Sequence, residues 1–340
     1  MSSEFEKAVI EVKKVFRERG SQHLKNAMLS LKQEKIECDE TKNAVSYFAS
    51  YWRDVVRPSL VSLACEAVGG DPMNIAHIGE SLTLLSGATD IHDDLIDKTT
   101  TKENRDTVLG KFGDDIALLA GDILFFKGFA ELFEGLAQVD IPPKKNLAIS
   151  KMIIKLYFEL CDGEALELKF RARTDVKPEE YLKVLRKKAA DIEICTRAGA
   201  MIGGGNKKQI DLLGEYGRLL GLIVLLRNDL EDLLDFDTGL NSRIKNESLP
   251  LPILYALENG RKKAQILAIL RKKEVKGKTA EELYELVSEA EGIKKLWMLF
   301  VDLRKKANNI IKRVKNNKLL RLILEATVPE AIPETSLTEV

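Results

Sequence analysis

Apolar residues recur along most of this chain with the period of an α-helix. In "FEKAVIEVKKVFRERG" they fall at positions 5, 8, 9, 12 and 15–16, and the run ends on Gly20. "MIIKLYFELCDGEALELKF" and "PEEYLKVLRKKAADIEICTRAGAMIGGG" continue the pattern, the second entering through Pro178 and leaving through glycines. Alternating strand patterns with two-residue turns are absent, as is an internal repeat of solenoid length. The pattern predicts an all-α fold, one large irregular helical bundle around a central cavity over residues 1–326. The polar, Pro-containing end "TVPEAIPETSLTEV" predicts a flexible tail over 327–340.

Two of the predicted helices change character along their length. The apolar run "IGESLTLLSGAT" leads into "DIHDDLIDK", where Asp90, Asp93, Asp94 and Asp97 fall three, four and seven apart on one face. Far downstream "LLGLIVLL" leads into "RNDLEDLLDFD", which places Asn228, Asp229 and Asp232 on one face with Asp235 close by. Carboxylates this close ionise together only at a cost, unless a positive charge sits among them. Either cluster alone is what a solvated helix end looks like. Two of the same design, each ending a buried helix, suit divalent cations and a diphosphate held between facing helices, with a hydrocarbon body on the oily half.

Composition narrows the chemistry. Lys plus Arg equals Asp plus Glu at 53 each, so no global basic field argues for nucleic acid. Cys38, Cys65, Cys161 and Cys195 form no CxxC pair, and with three histidines a zinc site is not expected. A carboxylate-held metal points to magnesium. The start "MSSEFEKAVIEVKK" is not signal-like, and no apolar run reaches the roughly 18–20 residues of a membrane span, so a cytoplasmic protein with reduced thiols is expected.

With these motifs the chain resembles the trans-isoprenyl diphosphate synthases, or polyprenyl synthetases, of the all-α class I isoprenoid synthases. "DDLID" at 93–97 matches the first DDxxD motif, and "NDLED" at 228–232 the second, with asparagine in its first place. "RPSLVSLACEAVGG" at 57–70, "LLAGDIL" at 118–124 and "SLPLPILYAL" at 248–257 match further family segments. The resemblance implies several Mg²⁺ ions bridging the aspartates and the diphosphate of an allylic substrate, which ionises before isopentenyl diphosphate attacks the cation. It carries Asp93, Asp97, Asp229 and Asp232 over as metal ligands, with Asp94 and Asn228 assisting. It also assigns Lys187 and Lys102 to the allylic diphosphate and implies a homodimer.

The isopentenyl diphosphate site departs from the family. Arg57 is kept, but Asp54 stands where the basic motif has lysine, Ser86 where a histidine is expected, and Glu103 where the second arginine of a pair belongs. The glutamine before the second acidic motif is Leu225. Two positive groups have become negative, and one charge contact at 4 Å is worth roughly 4 kcal/mol even at an effective dielectric of ~20. Arg53 and Arg105 are the nearby cations able to compensate.

Thr89, Ala88 and Gly87 precede the first motif where the family carries bulky aromatics that stop chain growth. By that analogy the pocket is deep and the allylic chain about C20 or more, with Phe158 able to close it. Close helix packing is the other account of the small residues. His92 reads as a hydrogen-bonded structural residue, and Glu164 and Glu167 as groups near the reacting carbons or at the cavity wall. Three functions follow: a chain-elongating prenyltransferase; a terpene synthase or prenyltransferase with another acceptor; and a non-catalytic subunit tuning an active synthase. Retention of both acidic motifs speaks against the third.

Overall fold

Helix after helix follows the apolar period read from the sequence. The computed structural model describes residues 4–102, 104–237, 239–258, 260 and 262–328. The first quarter holds α1 (Glu4–Lys32), α2 (Asp39–Tyr51), α3 (Val56–Ala67) and α4 (Ala76–Asp97). A hairpin of two-residue strands, β1 (Thr101–Lys102) and β2 (Arg105–Asp106), and the short α5 (Val108–Phe112) lead to the long α6 (Asp114–Gln138) and α7 (Pro143–Glu167). Then come α8 (Pro178–Lys188), α9 (Ala190–Ile202), α10 (Lys207–Leu234), α11 (Gly239–Asn246) and α12 (Leu251–Glu258). The chain closes with α13 (Lys263–Leu270), α14 (Lys278–Glu289), α15 (Gly292–Ile311) and α16 (Lys318–Thr327). Of the expected tail, residues 329–340 lie outside the described residues. No described helix is long and apolar enough to cross a membrane.

The ends of these helices are chemically marked. Pro143 and Pro178 open α7 and α8, where a missing N–H costs nothing. Asn206 and Gln209 form a reciprocal capping box on α10. Lys98, in the left-handed region at φ 57°, ends α4 directly after the fourth aspartate. The chain then turns back through the small hairpin, which returns Lys102 over the helix it has just left.

Helix α4 is held against α6 by a seam of glycines seven residues apart. A Cβ on Gly121 would meet the His92 ring at 2.3 Å, one on Gly128 would meet Leu85 at 2.7 Å, and one on Gly135 would meet His77 at 2.5 Å. On α4 itself, a Cβ at Gly87 would sit 2.8 Å from the Phe48 ring. Ala88 is fully buried in the same cluster as Phe48, Leu84 and Leu124. The small residues at 87 and 88 are in close helix packing, with the Phe48 ring against Gly87. Thr89 is half-buried, its hydroxyl donating to the Ser86 carbonyl at 2.8 Å.

Phe158 takes no part in that packing. It is 72% exposed, because the buried face of α7 runs through Ile153, Leu156, Tyr157 and Leu160 and leaves position 158 on the opposite side. His92 packs over Gly121, 5.2 Å from the Phe125 ring and 3.5 Å from Asp122, as a structural histidine.

Candidate active site

The cations that make four crowded aspartates tolerable come in large part from the chain itself. Lys102, brought back by the hairpin, lies 3.0 Å from Asp90 and 2.6 Å from Asp94. Arg171, just after α7, donates to Asp97 at 2.8 Å and to the Ile96 carbonyl at 2.6 Å. Asp93 makes no ion pair among the described residues, and Lys188 is the cation with the largest influence on it.

Lys188 is aimed by a break between two helices. Helix α8 ends at Lys188 and α9 begins at Ala190. The buried Arg218 donates to the Arg186 carbonyl at 2.6 Å, stabilising the exposed end of the α8 ladder, and is fixed by Glu193 at 2.6 Å and Glu159 at 2.9 Å. Glycine at 163 lets α7 approach, since a Cβ there would lie 3.0 Å from Lys187 and 3.1 Å from Lys188. The turn sends the two lysines different ways. Lys187, expected at the substrate, pairs with the exposed Asp162 at 2.9 Å on the rim. Lys188 turns inward between Glu167 and Glu164, 2.9 Å from the latter.

The second acidic segment reaches the same place from α10. Glu167 lies 3.8 Å from the guanidinium of Arg243, which in turn contacts Asp229 at 2.8 Å and lies 3.6 Å from Asp232. Arg243 also pairs with Glu247 one turn along α11. Asp229 is 1% exposed; its Oδ1 accepts from Tyr181 at 2.8 Å and from Arg243, and its Oδ2 accepts the Leu251 N–H at 3.0 Å. That N–H is an orphan donor in the first turn of α12, so Asp229 acts as an external cap on the helix. Asn228 is exposed and Asp232 half-buried. Ser248, from the Leu-Pro segment, donates to Glu167.

The two segments therefore converge, joined through Lys188, Glu167 and Arg243. Beside the end of α4 lies a cavity of about 20 Å³, room for one water, walled by Asp97, Glu164, Glu167, Arg171, Lys188 and Glu247. Nine carboxylates (Asp90, Asp93, Asp94, Asp97, Glu164, Glu167, Asp229, Asp232, Glu247) meet four cations (Lys102, Arg171, Lys188, Arg243). The surplus shows in the acidities. Burial raises Asp93, and pushes Asp94 to about 7 despite Lys102. Burial and the neighbouring Asp93 push Asp97 to about 7, and burial takes Glu164 to about 7 and Asp232 to about 6. Glu167 alone goes down: against the pull of burial, Lys188 and Arg243 hold it at about 2.

An excess of hard oxygen donors that ionise reluctantly fits magnesium. The fit is better on the α4 side, where Asp93 is unpaired, than at Asp229, whose oxygens are engaged. A second gathering of donors, His77, Glu80 and Glu131, lies away from both motifs, with Lys127 3.2 Å from Glu131.

Arg57 is the hub of a different network. Its Nε lies 2.9 Å and its Nη2 2.6 Å from Asp191 Oδ2, and its Nη1 lies 3.0 Å from Asp54. Ser86 donates to the same Asp54 at 3.0 Å. Two of the replacements noted in the sequence thus hold each other and Arg57, and Glu103 lies outside the described residues. Arg53 is turned to the carbonyls of Ser50 and Trp52, and Arg105 lies 3.6 Å over the Tyr51 ring.

Sequence reasoning missed Arg171, Lys188, Arg243, Glu247 and Asp191. Arg243 and Glu247 carry an i,i+4 signal within "NSRIKNES", but such pairs are common on solvated helices.

Comparison with known proteins bears on this geometry. The family model described as "Polyprenyl synthetase" matches residues 40–287. A short chain isoprenyl diphosphate synthase of Methanothermobacter thermautotrophicus is 35% identical over 214 residues, 61% of this chain and 64% of the relative. A geranylgeranyl diphosphate synthase of Methanosarcina mazei is 31% identical over 196 residues, 57% and 59% of the two chains. The match therefore spans somewhat less than two thirds of each of these relatives. Among solved structures, geranylgeranyl pyrophosphate synthetase from Pyrococcus horikoshii superposes with a TM-score of 0.82 at 26% identity, covering 97% of this chain and 100% of that one.

Proposed function

The chain belongs to the polyprenyl synthetase family, and from that premise we propose that it is a Mg²⁺-dependent trans-prenyltransferase that elongates an allylic isoprenyl diphosphate, with products of about C20. The observation that carries this reading is the convergence of the α4 and α10 acidic segments on one carboxylate-rich, cation-deficient site. The isoprenyl and geranylgeranyl diphosphate synthases of Methanothermobacter thermautotrophicus and Methanosarcina mazei support the substrate class and chain length.

In this reading Asp93 and Asp97 hold the metal, with Asp94 kept in place by Lys102. Bound Mg²⁺ supplies neutralisation of the diphosphate that departs as the allylic C–O bond ionises. Lys188, fixed between Glu164 and Glu167, presents an ammonium to the same anion, the role the resemblance gave to its neighbour Lys187. Arg171 adds a second donor at the mouth. The four cysteines are free thiols, which supports a reducing, cytoplasmic setting. A homodimer is supported by α6, whose outer face exposes Leu119, Phe126 and Phe133 at seven-residue intervals, 50%, 77% and 53% exposed.

A second reading, transfer to an acceptor other than isopentenyl diphosphate, is favoured by the closed Asp54–Arg57–Asp191 network. The experiment that tests both is incubation with Mg²⁺ and allylic diphosphates of several lengths, with and without labelled isopentenyl diphosphate. Label in a longer prenyl chain supports elongation. Pyrophosphate release that ignores isopentenyl diphosphate supports the second reading, and no turnover at all contradicts both.

A further inference from the structure

We infer that Arg243 is a built-in counter-cation of the second acidic segment, so that divalent metal engages this chain from the α4 side alone and Asp229 and Asp232 hold a guanidinium in its place. The inference rests on the proposed metal-dependent function and adds to it where the metal goes.

The geometry is that of a cluster closed except at the Arg243 Nε, which is buried without a hydrogen-bond partner. The guanidinium carries five N–H donors in a rigid plane. One terminal nitrogen is shared between Asp229 at 2.8 Å and the Tyr181 hydroxyl at 2.9 Å; the other is on Glu247; the Nε faces Asp232 at 3.6 Å. The Arg243 side chain is 12% exposed. Asp229 has a hydrogen-bond partner on each of its oxygens, one of them the backbone N–H that starts α12. For a metal to coordinate it, a dication must reach the one acceptor site left on a carboxylate that already takes three hydrogen bonds, and must settle beside a guanidinium that has no deprotonated form within reach. Moreover, the first residue of the segment is Asn228, neutral and exposed, so it offers no carboxylate to draw the ion outward.

The α4 side is built differently. Its cations, Lys102 and Arg171, pair with Asp94 and Asp97 and leave Asp93 without an ion pair among the described residues. Arg171 contacts one Asp97 oxygen through a single nitrogen, and Asp97 lines the cavity. Oxygen ligands for a hard cation are thus open on α4 and engaged on α10. Arg243 is in this sense a positioning residue: it locks the end of α10 to α11 and to the start of α12.

The test is a count of bound Mn²⁺, by electron paramagnetic resonance of the free ion, on the full chain with inorganic pyrophosphate present. Asp232→Asn, at a half-exposed position that a folded chain tolerates, is expected to keep the wild-type count and to change affinity by less than about twofold. Arg243→Gln is expected to add one Mn²⁺ per chain. A lower count, or a tenfold loss of affinity, on Asp232→Asn overturns the inference even if Arg243→Gln fails to fold. An unchanged count in a folded Arg243→Gln variant does the same. Asp93→Asn separates the layers: Mn²⁺ binding unaffected by it overturns the metal-dependent function itself, and this inference with it.

Discussion

Arg57 and Asp191 form a two-pronged ion pair, Nε and Nη2 both on Oδ2 at 2.9 Å and 2.6 Å, with Asp54 closing the third side of the guanidinium at 3.0 Å. A guanidinium with two carboxylates on it carries a net negative surrounding. A diphosphate arriving there would have to displace an anion that is already well placed.

That arrangement predicts a gain on removal. Asp191→Leu leaves Arg57 with Asp54 alone, and Asp54→Lys together with Asp191→Leu turns the site positive. The double variant is expected to lower the KM for isopentenyl diphosphate by roughly tenfold or more, in line with one strong charge contact. Initial rates with saturating allylic diphosphate measure it. A KM unmoved by both changes would mean that isopentenyl diphosphate binds elsewhere.

The crowded carboxylates predict a stability that depends jointly on pH and magnesium. Asp94, Asp97 and Glu164 at about 7, and Asp232 at about 6, hold protons in the folded chain that the unfolded chain has released at its ordinary value of roughly 4. These groups therefore lower stability as pH rises from about 4 to 7. Glu167, at about 2, acts oppositely: its stabilisation is present above roughly 4.5 and is lost as pH falls toward 2. Thermal unfolding with and without Mg²⁺ is expected to show a large rise in Tm at pH 8 and little at pH 5, where protons compete for the same oxygens. Equal rises at both pH values would contradict the carboxylate site.

Arg218 offers a prediction about positioning. Its side chain is 6% exposed and bonded to Glu193, Glu159 and two carbonyls at the α8–α9 break. Arg218→Met takes one of two cations from the buried Glu193 and the partner from the half-buried Glu159, and is expected to destabilise the fold by about 3 kcal/mol. Urea unfolding measures this, and a loss below about 1 kcal/mol would show the network to be dispensable.

The stripe on α6 predicts assembly. Phe126→Glu places a charge in the middle of an apolar row and is expected to convert a dimer to a monomer in sedimentation velocity. A wild-type chain that is already monomeric at micromolar concentration would remove the stripe from the argument.

Much of this architecture was legible in the sequence because it rests on short-range regularities. The helical period, the prolines at 143 and 178 and the three-and-four spacing of aspartates act within one or two turns. They placed α4 and α10 and the acidic face of each. Which cation answers which carboxylate is a long-range matter. Arg171 is 74 residues from Asp97, and Asp191 is 134 from Arg57. Nothing in "KFRART" distinguishes Arg171 from a solvated arginine. Lys187 and Lys188 precede a helix break at Ala189 and take different partners, Asp162 for the first and Glu164 for the second. Small residues at 87 and 88 carried two meanings in the sequence, and the ring of Phe48 that packs on Gly87 comes from a separate helix.

The most direct measurement of the central claim is Mg²⁺-dependent pyrophosphate release from an allylic diphosphate by the wild-type chain and by Asp93→Ala. The account predicts release that requires the metal and falls by roughly 10²–10³-fold or more in the variant, which lacks the Asp93 carboxylate. An Asp93→Ala chain that releases pyrophosphate at close to the wild-type rate would contradict it.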